Sequence, residues 1–387
     1  MSDLKDSYDY NYSDYGYSYN YGEFDYNLGP ASVVVPTLWA IFSVFGLVGN
    51  VFIIFMVFKY SHMRTVTNYY IVNLALTDIA LLLICVPMTS SVYAFHTKWM
   101  FGDTMCRIVV WMQFASWQAT CLTLTVISVD RYHAIVHPIK SIKYRTPRAA
   151  IVVNVSVWLY SYLVTTPTLY FYRQEVYSFD PDHPFCLEFH ESNATFSVNN
   201  IFALIYTLQA YFIPLVIVFV CYALMLKRLW RTSGPSEDAV MSEQASRQKR
   251  KITRMVFVVV VLYTLCHLPH HVFNILFRFN FDMFAGRNDL LKYLRMVTTS
   301  FLHFNSVINP VVYNVLGDNF KKSLKKAFLH HFKNNKVRDS NTVQTVNGNG
   351  TRTMNVSNSN RVHPSSSQSR SENHGGETSL TFKGVLT

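Results

Sequence analysis

The sequence predicts an all-α protein: a bundle of seven transmembrane helices, a short amphipathic eighth helix, and disordered N- and C-terminal tails. Three observations predict it. Half of the 387 residues are hydrophobic and only 15% are charged, against about a quarter in soluble domains. Seven apolar stretches lie at approximately 33–58, 69–94, 105–129, 149–171, 200–226, 253–277 and 293–316. About 20 residues at 1.5 Å each cross a hydrocarbon core of roughly 30 Å, and backbone in lipid must satisfy its own hydrogen bonds, so these stretches read as helices. Finally, the basic residues gather in alternate connections, the pattern of a chain threaded back and forth through a membrane.

The first segment, residues 1–32, is an acidic tail. It holds Asp3, Asp6, Asp9, Asp14, Glu23 and Asp25 against a single Lys5, with eight tyrosines between 8 and 26. No basic and then apolar leader precedes the first span, so no cleaved signal peptide is expected. Asn11 and Asn193 begin glycosylation sequons. Tyr8, Tyr10 and Tyr15 sit beside acids and are the best placed for sulfation. Such a tail reads either as an anionic lure for a basic peptide or as an inert solvated extension.

Residues 33–316 form the membrane domain. Pro87, Pro167, Pro214, Pro269 and Pro310 predict kinks. The basic connections carry Lys59 and Arg64; then Arg131, Lys140, Lys143, Arg145 and Arg148; then Lys227, Arg228, Arg231, Arg247, Lys249, Arg250, Lys251 and Arg254. That side is cytoplasmic by the positive-inside rule, which puts the N-terminus outside the plasma membrane. The net charge of +11 is therefore a signature of topology, and nucleic acid is not expected as a partner. Four of six cysteines fall within spans. Cys106 and Cys186 fall at outer ends on the oxidising side and are expected to pair, for roughly 2–4 kcal/mol.

Asp78 is an isolated carboxylate in the second span, where it costs roughly 2.5–3.5 kcal/mol. Asn50, Thr120, Asn305, Ser306 and Asn309 offer neutral partners from other spans. The set suits a small hard cation, a water network, or a purely structural hydrogen-bond network. Asp130-Arg131-Tyr132 stands where the third span meets the cytoplasm; the acid can hold the guanidinium until a partner displaces it.

Residues 317–333 repeat Phe320, Leu324 and Phe328 with lysines opposite, an interfacial amphipathic helix. Residues 334–387 are rich in Asn, Ser and Thr and read as a disordered tail. Its hydroxyls can accept phosphates, or the tail is an inert solvated extension. No P-loop, HExxH or zinc spacing occurs, so no enzyme is expected, and no cofactor beyond a small hard cation at Asp78.

These residues together resemble the rhodopsin-like (class A) G-protein-coupled receptors. The matches are Gly49-Asn50, Asn73 through Asp78, Cys106, Asp130-Arg131-Tyr132, Trp158, Pro214 with Tyr222, Cys266-His267-Leu268-Pro269, and Asn309-Pro310 through Tyr313. Trp117 through Asp130, Arg145 through Arg148, Lys249 through Met255 and Leu268-Pro269-His270-His271 are similar to the galanin, allatostatin-A and kisspeptin receptor group. The resemblance implies that Asp78, Asn50, Thr120 and Asn305 form a sodium pocket and that Arg131 engages a heterotrimeric G protein. It also implies that Tyr222 and Tyr313 hold Arg131 in the active arrangement, and that a receptor kinase and arrestin are partners of the C-tail. Lys249 replaces an acid that locks some relatives, so that lock should be missing. His267 replaces the usual tryptophan two residues before Pro269, and Pro269 and Pro310 mark the kinks of the moving helices.

Gln113 stands where amine receptors carry aspartate, and His303 where opsins carry the retinal lysine, which argues against both ligand types. The expectation is a neuropeptide receptor with a C-terminally amidated ligand. Gln113, Trp117, Tyr93, Tyr211, His270, His271, Phe273, Asn274 and Phe301 are the expected pocket residues. The alternatives are another peptide class (somatostatin- or chemokine-like) or a transporter. Chemokine receptors usually pair a tail cysteine, and none is present here. A transporter tends to show repeats and broken helices, which this sequence lacks.

Overall fold

The computed structural model describes residues 28–177, 180–189, 197–231, 239–284, 287–317 and 320–325, without side chains for 177, 229–249, 281, 282 and 288. These residues belong to one compact unit. Asn11, Asn193, the N-tail tyrosines and the C-tail lie outside the described residues, as does the Lys249 side chain.

Seven long helices follow one another: α1 (Ala31–Lys59), α2 (Val66–Ala94), α3 (Gly102–Val136), α4 (Pro147–Thr165), α5 (198–231), α6 (Ala239–Phe279) and α7 (Asn288–Leu316). They close into a ring, with α1 against α2 and α7, α3 against α2, α4 and α5, and α6 against α7. Five are long and apolar enough by composition to cross a membrane; α3 and α7 fall short of that measure among the described residues. Their polar side chains turn inward. Gln113, Ser116, Gln118, Thr120 and Thr123 of α3 and His303, Asn305, Ser306 and Asn309 of α7 are all buried. The outer faces are apolar instead: Phe45, Val48, Leu159, Leu163, Val216 and Phe219 are exposed, the inside-out pattern of helices in lipid.

The prolines act in two ways. Pro269 and Pro310 are carried inside continuous helices. Pro87 and Pro214 each follow a five-residue π segment, Leu81–Cys85 and Leu208–Phe212. Proline removes one N–H and crowds the carbonyl four residues back, and a widened turn relieves both. Pro167 breaks the end of α4 before a short turn of helix at Thr168–Phe171.

One element was not foreseen in the all-α reading. Tyr172–Tyr177 (β1) and Asp180–Glu188 (β2) form an antiparallel hairpin. It is lashed across one end of the bundle. The Cys106–Cys186 disulfide forms as expected. Gln174 N donates to Asp103 Oδ1 (2.8 Å), Trp99 N to Pro184 O (2.7 Å) and Arg107 Nη1 to Leu169 O (2.8 Å). At the opposite end residues 320–325 are helical. Phe320 is buried and stacks on Tyr313, while Lys321 and Lys322 are exposed. The rest of the expected amphipathic helix lies outside the described residues.

Candidate functional site

Under the hairpin a cavity of about 240 Å³ opens between the helices. Tyr93, Gln113, Trp117, His270, His271 and Asn274 of the expected pocket set line it, and so does His267. Its floor is aromatic. The His267 ring stacks on Tyr263 at 4.0 Å between centroids, and Trp117 meets His270 edge-on at 5.4 Å. Asn274 Nδ2 lies 2.8 Å from His270 Nε2.

Three expected residues do not line the cavity. Tyr211 sits in the π segment, where the extra residue rotates it toward α6; its hydroxyl donates to Thr264 O (2.9 Å) and its ring packs on His271 at 4.5 Å. Phe273 is buried against Phe277 and Phe284. Phe301 is exposed on the outer face, because it lies two residues, about 200° of helix rotation, from the lining residue Thr299.

Other lining residues escaped the sequence reading. Trp39, Tyr172, Tyr206, Arg278, Arg295 and Thr299 all face the cavity. Arg278 in the last turn of α6 pairs with Glu188 of β2, both largely buried, and Arg278 Nη1 donates to Asn200 Oδ1 at 3.1 Å. Tyr172 and Asn199 donate to the same carboxylate, each at 3.2 Å. Burial, with the Glu188 charge beside it, pushes the Tyr172 phenol up, which keeps it a donor. The sequence signal for Arg278 was a charge at the edge of an apolar run; Glu188, in the middle of the connection between two spans, carried none.

Midway along the bundle Asp78 is 2% exposed and accepts from Asn309 Nδ2 at 3.0 Å. Asn50 of α1 ties to α7 through Ser306 O (3.0 Å), and Thr120 of α3 reaches Thr77, the neighbour of Asp78, at 3.1 Å. Asn50 Oδ1, Asn305 Oδ1, Asn309 Oδ1 and Ser116 Oγ are buried with no hydrogen-bond partner among the described residues. One carboxylate among orphaned neutral oxygens is a donor set that fits a small hard cation. Nearby, Asn73 bridges α3 and α4, donating to Thr123 Oγ1 (2.8 Å) and accepting from Trp158 Nε1 (2.9 Å).

At the far end Arg131 is buried and points at its neighbour. Its Nε donates to Asp130 Oδ2 at 3.1 Å, and its Nη2 donates to both Asp130 Oδ2 and Thr67 of α2. Arg145 also binds this carboxylate, through Nε to Oδ1 (2.6 Å) and Nη2 to Oδ2 (3.1 Å). That second guanidinium was not anticipated. Among the described residues no hydrogen bond joins the Tyr222 or Tyr313 hydroxyl to Arg131, so neither engages Arg131 in this arrangement. Tyr132 points away, its hydroxyl 3.3 Å from His137 Nε2.

The comparisons agree with this geometry. The family model described as 7 transmembrane receptor (rhodopsin family) matches residues 49–313. Relatives include G-protein coupled receptor 54 of Oreochromis niloticus, 36% identical over 79% of this chain and 81% of its own. The KiSS-1 receptor of Homo sapiens is 36% identical over 76% of this chain and 74% of its own. Galanin receptor 2a of Danio rerio is 32% identical over 81% and 83%. The chain belongs to the rhodopsin family of seven-transmembrane receptors.

Proposed function

We propose that this protein is a plasma-membrane receptor for an extracellular, C-terminally amidated neuropeptide, and that it signals to heterotrimeric G proteins through the Arg131 end. The observation that carries the ligand reading is the lining of the cavity under the hairpin. It offers aromatic rings, neutral amides, imidazoles and the Arg278 and Arg295 guanidiniums, and no carboxylate among the described residues lines it; Glu188 beside it is already held by Arg278. A carboxamide finds donors and acceptors there, whereas a small cationic amine finds no free counter-ion. Relatives named for KiSS-1, galanin and allatostatin-A support the peptide class. The basic connections support an extracellular N-tail, and its acids suit a peptide with a cationic remainder. Receptor kinases and arrestin are the expected partners of the Ser- and Thr-rich C-tail.

Peptide binding acts as a population shift. It favours the arrangement in which Arg131 leaves Asp130 and Thr67, and the G protein favours the same arrangement from the other side. Asp78, with the neutral oxygens around it, would hold a sodium ion that stabilises the present arrangement. The test is nucleotide exchange on purified G protein with a panel of amidated peptides and their free acids, run beside solute flux. Exchange driven by amides is expected; flux without exchange overturns the receptor reading.

A further inference from the structure

A second cavity, of about 200 Å³, lies at the Arg131 end between α2, α3, α6 and the segment after α7. Thr65, Asn68, Arg131, Arg145 and Lys251 supply its polar wall, and residues such as Phe320 its apolar one. Asp130 is the carboxylate that neutralises both guanidinium groups, and it is fully used. It accepts from Arg131 Nε and Nη2, from Arg145 Nε and Nη2, and from Thr67 Oγ1 at 3.2 Å. A carboxylate has about four lone-pair sites. No hydrogen bond from Nη1 of Arg131 or Arg145 is present among the described residues, and their side chains are 6% and 25% exposed. Two guanidiniums against one carboxylate leave a positive excess at this wall of the cavity.

We infer that this cavity is an anion site: it takes a phosphate-type oxyanion, which binds the two free guanidinium edges and competes with the G protein for Arg131. Arginine forks match phosphate oxygens bidentately. Thr65 Oγ1 accepts from Asn68 N at 3.3 Å, so its own proton can be donated into the cavity. An oxyanion there bridges the start of α2 to α3 and the Arg145 segment and holds the closed arrangement. The competition with a G protein rests on the proposed function; anion binding itself does not.

The source is a lipid headgroup or a soluble phosphate, and two arms separate them. Thermal unfolding of the purified full chain is measured in detergent with inorganic pyrophosphate at fixed ionic strength. It is measured again in nanodiscs of phosphatidylcholine with and without phosphatidylinositol 4-phosphate. Stabilisation in the first arm assigns a soluble phosphate; stabilisation confined to the second assigns the lipid. In the responding arm Thr65→Asp, which keeps a good cap for α2 but puts a like charge on the wall, should weaken apparent affinity by about tenfold or more. Lys321→Gln with Lys322→Gln, outside the cavity, should not. The bound anion should also raise the G-protein concentration needed for exchange. No stabilisation in either arm, or stabilisation abolished by the lysine changes and untouched by Thr65→Asp, overturns the inference. Anion binding that persists while no peptide drives exchange overturns the peptide reading alone.

Discussion

Replacing Glu188 with alanine should loosen the hairpin from α6, and the structure sets the size of the effect. The carboxylate receives Arg278, Tyr172 and Asn199, and the two ion-pair side chains are 13% (Arg278) and 15% (Glu188) exposed. An exposed pair contributes under about 1 kcal/mol, whereas removing one member of a fully buried pair costs about 3–5 kcal/mol. At this burial the loss should be about 2–3 kcal/mol, near the buried limit. Arg278 keeps Asn200 and Asn199 keeps Phe189 O at 2.6 Å, so the fold survives. Removing Arg278 as well relieves the stranded charge, so the double change should cost less than the sum by about 1–2 kcal/mol. The assay is built into the chain. The free cysteines Cys85, Cys121, Cys221 and Cys266 are all buried, so a thiol-reactive fluorophore reports unfolding in detergent. Strictly additive losses, or a melting temperature unmoved by Glu188→Ala, would refute the argument.

Arg131→Ala should abolish nucleotide exchange while leaving peptide binding measurable, because Asp130 keeps Arg145 and Thr67 and stays satisfied; parallel loss of binding and exchange would point to misfolding instead. Gly49→Ala should destabilise by about 1–3 kcal/mol, since a Cβ there would stand 2.8 Å from the Pro310 ring and jam α1 against α7; an unchanged melting temperature contradicts that contact. Asp78→Asn should remove any dependence of melting temperature on sodium at constant ionic strength, and a sodium effect that survives the change places the ion elsewhere.

Much of the architecture was legible because it follows from local rules. Apolar run length marked the spans, the alternating lysines and arginines marked one face, and Cys106 and Cys186 stood out as the pair at the oxidising ends. The cavity was read less well. His270, His271 and Asn274 sit on a regular stretch of α6, where 3.6-residue spacing carries from one lining position to the next. Tyr211 was misplaced because the π segment ahead of Pro214 shifts the spacing by one residue. Phe301 was chosen for its chemistry, but only the packing of α7 decides that Thr299 faces inward and Phe301 faces lipid.

The sequence by itself determined a membrane bundle of this family, its charge asymmetry, the buried carboxylate Asp78 and the Asp130-Arg131 pair. Each of these depends on composition, on periodicity or on neighbours in the chain. Only the tertiary structure decided that Glu188 meets Arg278 across 90 residues. It alone decided that Arg145 shares Asp130, that neither Tyr222 nor Tyr313 engages Arg131 in this arrangement, and that Arg131 and Arg145 line one small cavity. Contacts of that kind depend on how each helix is rotated and where a loop is tied down. Rotation is set by the packing of the whole ring, and no local pattern in the chain encodes it.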